Sequence, residues 1–383
     1  MALAYNEEQR SLIQTARDFA QNSSPVEAFR KVRENGRQNP KGPAYDPQLW
    51  SQMVELGWAG MPFPENYGGF QFGVMGLAGC FYELGKTLTA SPLLSSVVLS
   101  GSTILFAGNE AQKQSLLPKI IGGETLFALA VDEGPHHAFP NVATTAKASG
   151  GNYVLNGVKT LVMDGHSAQQ LIVAARSSGS ADSRQGISLF LVEATAKGVQ
   201  IERTGLLDSR SYARVTLKEV SVSAEQVLGK VDEGFAGLDK ALDHARICLA
   251  AEMLGGMEEI FQRTVKYLKE RKQFGELIGS FQGLQHRAAH MYTQIEMCRS
   301  ALMAALDAIE SDKPGVAALV SGAKALANDS YELVSNEAVQ MHGGIGVTDE
   351  LDIGLFLKRA RVSAALLGSA RFHYDRYATL NGY

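Results

Sequence analysis

Cysteine is scarce in this 383-residue chain: only Cys80, Cys248 and Cys298 occur, far apart and outside any metal-ligand spacing. That excludes a disulfide scaffold or a zinc ribbon and suits buried thiols in a reducing compartment. Strong charge of either sign is also missing. The net charge of −4 gives neither a nucleic-acid footprint nor a membrane-surface field. No uninterrupted apolar run is long enough to span a bilayer. The opening MALAYNEEQRSLIQ enters a polar helical pattern directly, without an apolar signal core. The expectation is a cytoplasmic protein with no membrane insertion and no nucleic-acid partner. GxGxxG, Walker and GxSxG patterns are absent too, which argues against Rossmann, P-loop and hydrolase chemistry.

What remains is ordinary globular composition, 45% apolar and 20% charged, in a chain long enough for two or three domains. Residues 1–122 carry helix-period patterning. In NEEQRSLIQTARDFAQ, Leu12, Ile13, Ala16 and Phe19 share one face and Asn6 is placed as N-cap. Residues 123–230 change texture: NYVLNGVKTLVM, QQLIVAAR, GISLFLVEA and YARVTLKEVSVS are short, β-branched runs between Asn-Gly and Gly-rich turns. They predict a small antiparallel barrel or sandwich. Residues 231–383 return to helical periodicity in three long amphipathic stretches, predicting a bundle. The class is α+β: a helical domain, a β-domain and a helical bundle.

Four stretches have chemical potential. ERKQFG (270–275) ends a long helix, and its Arg271 fork suits a phosphate pair, with Gln273 and Phe274 against a ring or ribose; a solvated helix end is the alternative. QMHGGIGVT (340–348) sets Gly343, Gly344 and Gly346 within four residues. Such a turn lets a ligand approach the backbone, or simply caps a helix. LDHAR (242–246) places Asp243 and Arg246 three apart on one helix face, as a ligand contact or a surface ion pair. HRAAH puts His286 and His290 one turn apart, but Arg287 stands where a zinc protease needs glutamate, and no metal site is expected.

Joined in order, LGWAGMPFPENYGG, the β-region, RKQFGELIGSFQGLQ and QMHGGIGVTDE resemble the acyl-CoA dehydrogenase family of flavoproteins over nearly the whole chain. The resemblance implies an N-terminal helical domain, a middle β-domain and a C-terminal four-helix bundle, assembled as a tetramer with FAD between subunits. It implies that Arg271, Gln273, Phe274 and Gln282, with Gln340, Gly343 and Gly344, reach the adenosine-pyrophosphate half of a neighbour's FAD. Asp243 and Arg246 match positions that contact the thioester-CoA portion of the substrate. An electron-transferring flavoprotein is the implied acceptor. The implied reaction is α,β-dehydrogenation: a carboxylate takes the α-proton while the β-hydrogen leaves as hydride.

That carboxylate is missing here. In most relatives it is a glutamate just before a Gly-Thr pair; the matching pair is Gly368–Ser369, preceded by Leu367. The alternative seat, on the long helix, matches Ala245. His244 adjoins that seat but points about 100° away, and Glu252 lies about two turns along. The flavin-ring side departs as well: VDEGPHHAFPN has Asp132 in place of the usual threonine, and LVMD (161–164) lacks the aromatic and the threonine of the strand that backs the flavin. The adenosine side is intact. This vacant-base pattern resembles the subunits that lack the glutamate in α2β2 members acting on bulky acyl groups such as steroid side chains. Other readings are a self-sufficient dehydrogenase with an unconventional base, a flavin-dependent oxidase or hydroxylase, and a binding protein that has kept only the fold.

Overall fold

The computed structural model describes residues 6–383. They cluster into two compact units, each assembled from separate stretches of chain. One holds the described residues up to Arg30, Val74–Thr89 and Arg246–Tyr383; the other holds Lys31–Gly73 and Ala90–Ala245. The opening helices are α1 (Glu7–Asn22), α2 (Val26–Gln38), α3 (Pro47–Glu55), α4 (Gly73–Lys86), α5 (Ser102–Ala107) and α6 (Glu110–Ile121). Asn6 caps α1 reciprocally with Gln9, and the helix buries Ala16, Phe19 and Ala20.

The second unit is built on an eight-stranded sheet. Its strands are β1 (Phe127–Ala130), β2 (Thr145–Ser149), β3 (Asn152–Met163), β4 (Gln170–Arg176), β5 (Ile187–Glu193), β6 (Val199–Gly205), β7 (Ser211–Ser223) and β8 (Val227–Leu228). Their order is β6-β7-β3-β2-β4-β5-β8, with β1 beside β4. The pairing is antiparallel except for β1 with β4 and the single Thr145–Arg176 pair of β2 with β4. Neither parallel pair joins strands that are consecutive in sequence, so no tight hairpin dictates its direction. The β2–β3 hairpin turns on Gly150 and Gly151, both at positive φ. Asn156–Gly157 is not a turn: it lies inside β3 at a register shift, where a Cβ on Gly157 would collide with Thr144. Leu155, Val162, Val173, Phe190, Val215 and Val222 belong to the apolar core of this sheet. The segment Leu93–Gly101, a fully buried π-helix, packs on β1.

The first unit is helical. After α7 (Gly234–Glu270), whose first turns lie in the other unit, come β9 (Lys272–Gln273), β10 (Glu276–Leu277), α8 (Gln282–Glu310), α9 (Val316–His342), α10 (Ile353–Ala365) and α11 (Ala370–Leu380). α9 is central, packing on α8, α10 and α11. α4 meets α7 backbone to backbone: a Cβ on Gly85 would strike the carbonyl of Glu252, and one on Gly255 would strike the carbonyl of Tyr82. Among the described residues no helix is long and apolar enough to cross a membrane.

Candidate functional site

α7 runs out at Glu270, and a tight hairpin follows. β9 and β10 pair through Gln273 and Glu276, leaving Phe274 (φ 56°) and Gly275 (φ 85°) as the two turn residues. Two consecutive positive φ values make a primed turn, which glycine tolerates and phenylalanine resists. The strained Phe274 side chain is nevertheless 93% exposed, packing loosely on Phe281. Arg271 is exposed and its guanidinium has no ion-pair partner among the described residues. Gln273 and Gln282 are exposed as well, and Gln282 opens α8, whose first backbone N–H groups are uncapped by its N-cap side chain.

A stacked pair joins this hairpin to the glycine turn. The Tyr267 ring lies on the His342 ring, centroids 4.4 Å apart and 26° from parallel. His342 donates through Nδ1 to the Ala338 carbonyl at 2.7 Å, and burial holds its pKa below the usual value, so it is neutral. Gly343 follows at φ 65°, and a Cβ added to Gly343 or Gly344 would meet nothing within 4 Å. Gln340, Gly343 and Gly344 are all exposed. The seven candidates thus face outward, as a guanidinium, three amides, a ring and open backbone.

The pair on α7 behaves differently. Asp243 is 5% exposed and Arg246 fully buried, so they are no surface ion pair. Arg246 Nε donates to the carbonyl of Leu367 at 3.2 Å, and its guanidinium lies 5.6 Å from the Phe372 ring centroid. The structure therefore joins two positions read separately in the sequence. Leu367 has a left-handed backbone (φ 57°), and Gly368 follows at φ 117°. His373 Nε2 also donates to the Leu367 carbonyl, at 3.1 Å, and Asn328 Nδ2 to the Gly368 carbonyl at 3.2 Å. Lys324 Nζ donates to Asn328 Oδ1 and to the Ser363 carbonyl. Burial, aided by Arg246, brings the Lys324 pKa down to about 7. Sequence reasoning missed Lys324, Asn328 and His373.

Both candidate substitutes for a base are engaged with neighbours. His244 packs edge-on to Phe106 at 4.9 Å, and burial with Lys240 lowers its pKa to about 4, too low for an effective proton acceptor near neutrality. Glu252 forms a buried ion pair with Arg359 at 2.9 Å, and Arg359 also donates to the Leu88 carbonyl. Ala245 is buried and inert.

Comparison with known proteins fits this geometry. Models of the acyl-CoA dehydrogenase N-terminal, middle and C-terminal domains match residues 6–124, 133–220 and 232–378. A probable acyl-CoA dehydrogenase of Bacillus subtilis, YngJ, is 30% identical over 94% of both chains. The chain belongs to the acyl-CoA dehydrogenase family. The family is one of flavoprotein oxidoreductases acting on CH–CH bonds. Subunit CarC of the caffeyl-CoA reductase-Etf complex of Acetobacterium woodii is 29% identical, covering 96% of each chain. Among solved structures, the Tcur3481-Tcur3483 steroid ACAD is 29% identical with a TM-score of 0.86, covering 98% of each chain.

In this acyl-CoA dehydrogenase family member, Asp132, where the resemblance implied a threonine, pairs with the buried His137 at 2.9 Å. Glu133 is held by Lys159 at 2.6 Å and by the backbone N–H groups of Ala143 and Thr144. Burial opposes its ionisation, but Lys159 and Thr144 outweigh it and keep the Glu133 pKa low. Asp164 closes the altered strand at φ 54°, accepting from Ser95 Oγ at 2.6 Å; burial raises its pKa to about 6. The residues present fit the adenosine-pyrophosphate half of a dinucleotide: open glycines admit the backbone approach, and the free Arg271 fork matches a pyrophosphate.

Proposed function

We propose that this chain is an acyl-CoA dehydrogenase subunit that lacks the α-proton base and works beside a homologous chain that carries one. Leu367 carries the reading. It occupies the usual seat of the glutamate, on a segment whose backbone is still fastened by Arg246, His373 and Asn328. The buried arginine that holds this segment supports a role for it in the site.

In this reading Arg271, Gln273, Phe274, Gln282, Gln340, Gly343 and Gly344 bind the adenosine-pyrophosphate half of FAD housed by the neighbour. FAD, when bound, accepts the β-hydrogen of the acyl group as hydride. Asp243 and Arg246 orient the thioester-CoA portion of an acyl-CoA. The outward orientation of the FAD set supports a tetramer, homomeric or α2β2. The steroid acyl-CoA dehydrogenase relative bears two protein names, which favours the mixed form and a bulky acyl group. The Etf complex of CarC favours an electron-transferring flavoprotein as acceptor. The reading places the protein in the cytoplasm.

The visible spectrum of the chain purified alone, and co-expressed with a glutamate-bearing homologue, tests this under anaerobic addition of an acyl-CoA panel. Bleaching only in the co-expressed form is expected. Bleaching by the chain alone would overturn the base-deficient assignment.

A further inference from the structure

The segment Leu366–Ser369 joins α10 to α11, and four side chains grip its neighbourhood from three helices. Arg246 of α7 and His373 of α11 take the Leu367 carbonyl, and Asn328 of α9 takes that of Gly368. Behind Asn328, one turn earlier on α9, lies Lys324. It is fully buried and donates to Asn328 Oδ1, so that the amide's other end is turned toward Gly368. It also donates to the Ser363 carbonyl of α10 at 3.0 Å. A lysine is a costly way to fill a helix interface: desolvating an ammonium opposes burial, and a methionine of similar length would pack without that cost. What lysine supplies is direction. Its donors fix which way the Asn328 amide points, and hence whether an N–H or an oxygen meets the Gly368 carbonyl.

We propose that Lys324 is a positioning residue: through Asn328 and the Ser363 carbonyl it holds the α10–α11 connection, and with it Leu367, in the left-handed conformation presented to the acyl end of the substrate. This rests on the reading of Leu367 as the base seat, but the holding of the connection is independent of it. Arg246 anchors the first carbonyl from one side; Lys324 sets the second from the other. The inference concerns the reacting end of the substrate and not the CoA end.

Amide hydrogen exchange by mass spectrometry, on the protein as purified, compares the wild type with Lys324→Met and Asn328→Leu. Both variants are expected to exchange at least tenfold faster in residues 366–372, while α8 amides stay unchanged. Unchanged protection in 366–372, or equal loss across α7, α8 and α9, overturns the proposal. Asn328→Leu leaves the lysine in place, so a Lys324→Met chain that fails to fold does not end the test. Calorimetric binding of a panel of acyl-CoAs, from butyryl-CoA to a steroid side-chain CoA ester, and of free CoA gives the second readout. The variants are expected to lose about tenfold in affinity for the acyl-CoA and none for free CoA; equal losses for both ligands overturn the proposal, since a merely structural lysine would disturb both. If the wild type binds no acyl-CoA, the proposed function fails, and the exchange data alone still decide the role of Lys324.

Discussion

Arg246 and Leu367 lie 121 positions apart in sequence, and the guanidinium of the first donates to the backbone carbonyl of the second at 3.2 Å. The bond is to main chain, so it survives any change of side chain at position 367. The fastening and the chemistry of this segment are separable. On the proposed reading, the shape of the segment does not depend on whether a carboxylate stands at 367.

Placing a carboxylate at position 367 is therefore expected to supply proton chemistry. Leu367→Glu should raise deuterium incorporation at the α-carbon of a bound acyl-CoA in heavy water by about 10²-fold or more, the usual worth of a positioned general base. The left-handed backbone at 367 is already in place, so no new strain is introduced. Mass spectrometry of recovered acyl-CoA reads the result. An unchanged rate would show that the segment is not the base seat.

Phe274 offers a trade between stability and cofactor content. A left-handed non-glycine residue costs roughly 1–2 kcal/mol, so Phe274→Gly should stabilise the chain by about 1 kcal/mol in urea unfolding. The same substitution should lower the FAD content of the assembly, because the exposed ring is lost. Arg271→Ala should lower FAD content with unfolding free energy within about 0.5 kcal/mol of wild type, as expected of an exposed residue. Unchanged flavin occupancy in both variants would remove the pair from the cofactor site.

Asp164 ties stability to pH. Its folded pKa, raised by burial to about 6, exceeds the usual carboxylate value, so the folded state favours the protonated form. Its contribution is fully present below about pH 4 and is lost as pH rises through about 6. Asp164→Asn should be the more stable form at pH 8, by up to ~3 kcal/mol, and the gap should close toward pH 4. Urea melts at the two pH values measure it; a gap independent of pH would show that Asp164 does not titrate in this range.

Lys324 gives the opposite slope. Its folded pKa of about 7 lies below the ordinary lysine value, so the unfolded chain binds the proton more readily. Stability due to this group is present at high pH and lost as pH falls through about 7. Between pH 7 and 10 the wild type should gain on Lys324→Met by up to about 1.4 kcal/mol per pH unit. Parallel stability curves for the two proteins would rule this out.

The long helices were legible because an apolar residue every third or fourth position lines up into one continuous stripe only when the chain is wound as a helix, and α7, α8 and α9 follow that period. The strands were legible in type, but the parallel place of β1 was not, because pairing across a long connection leaves no local trace. Arg271 and Gly343 stood out through motif; Lys324 and Asn328 did not, since their meaning depends on α10 lying against α9. One signal was available: a lysine between Val320 and Ala327 sits in an apolar stripe where a solvated charge has no place. The letters LVMD (161–164) show only a missing aromatic and threonine, whereas folding makes Asp164 a buried acid, a property of its surroundings and not of its letter.

The close approach of α4 and α7 at Gly85 and Gly255 has a consequence for how this chain can accept substitution. With no side chain between the two backbones, the axis of α7 has no slack along that seam, and it works as a fixed datum in the way a machinist's reference edge does. Glu252 stands at the seam itself and Arg246 less than two turns before it, so helical pitch fixes where each starts from that edge. Substrate range can then drift by exchanging side chains, one at a time, against a ruler that does not move. A single added methyl group at either glycine would shift the ruler itself, and every contact measured from it would shift together.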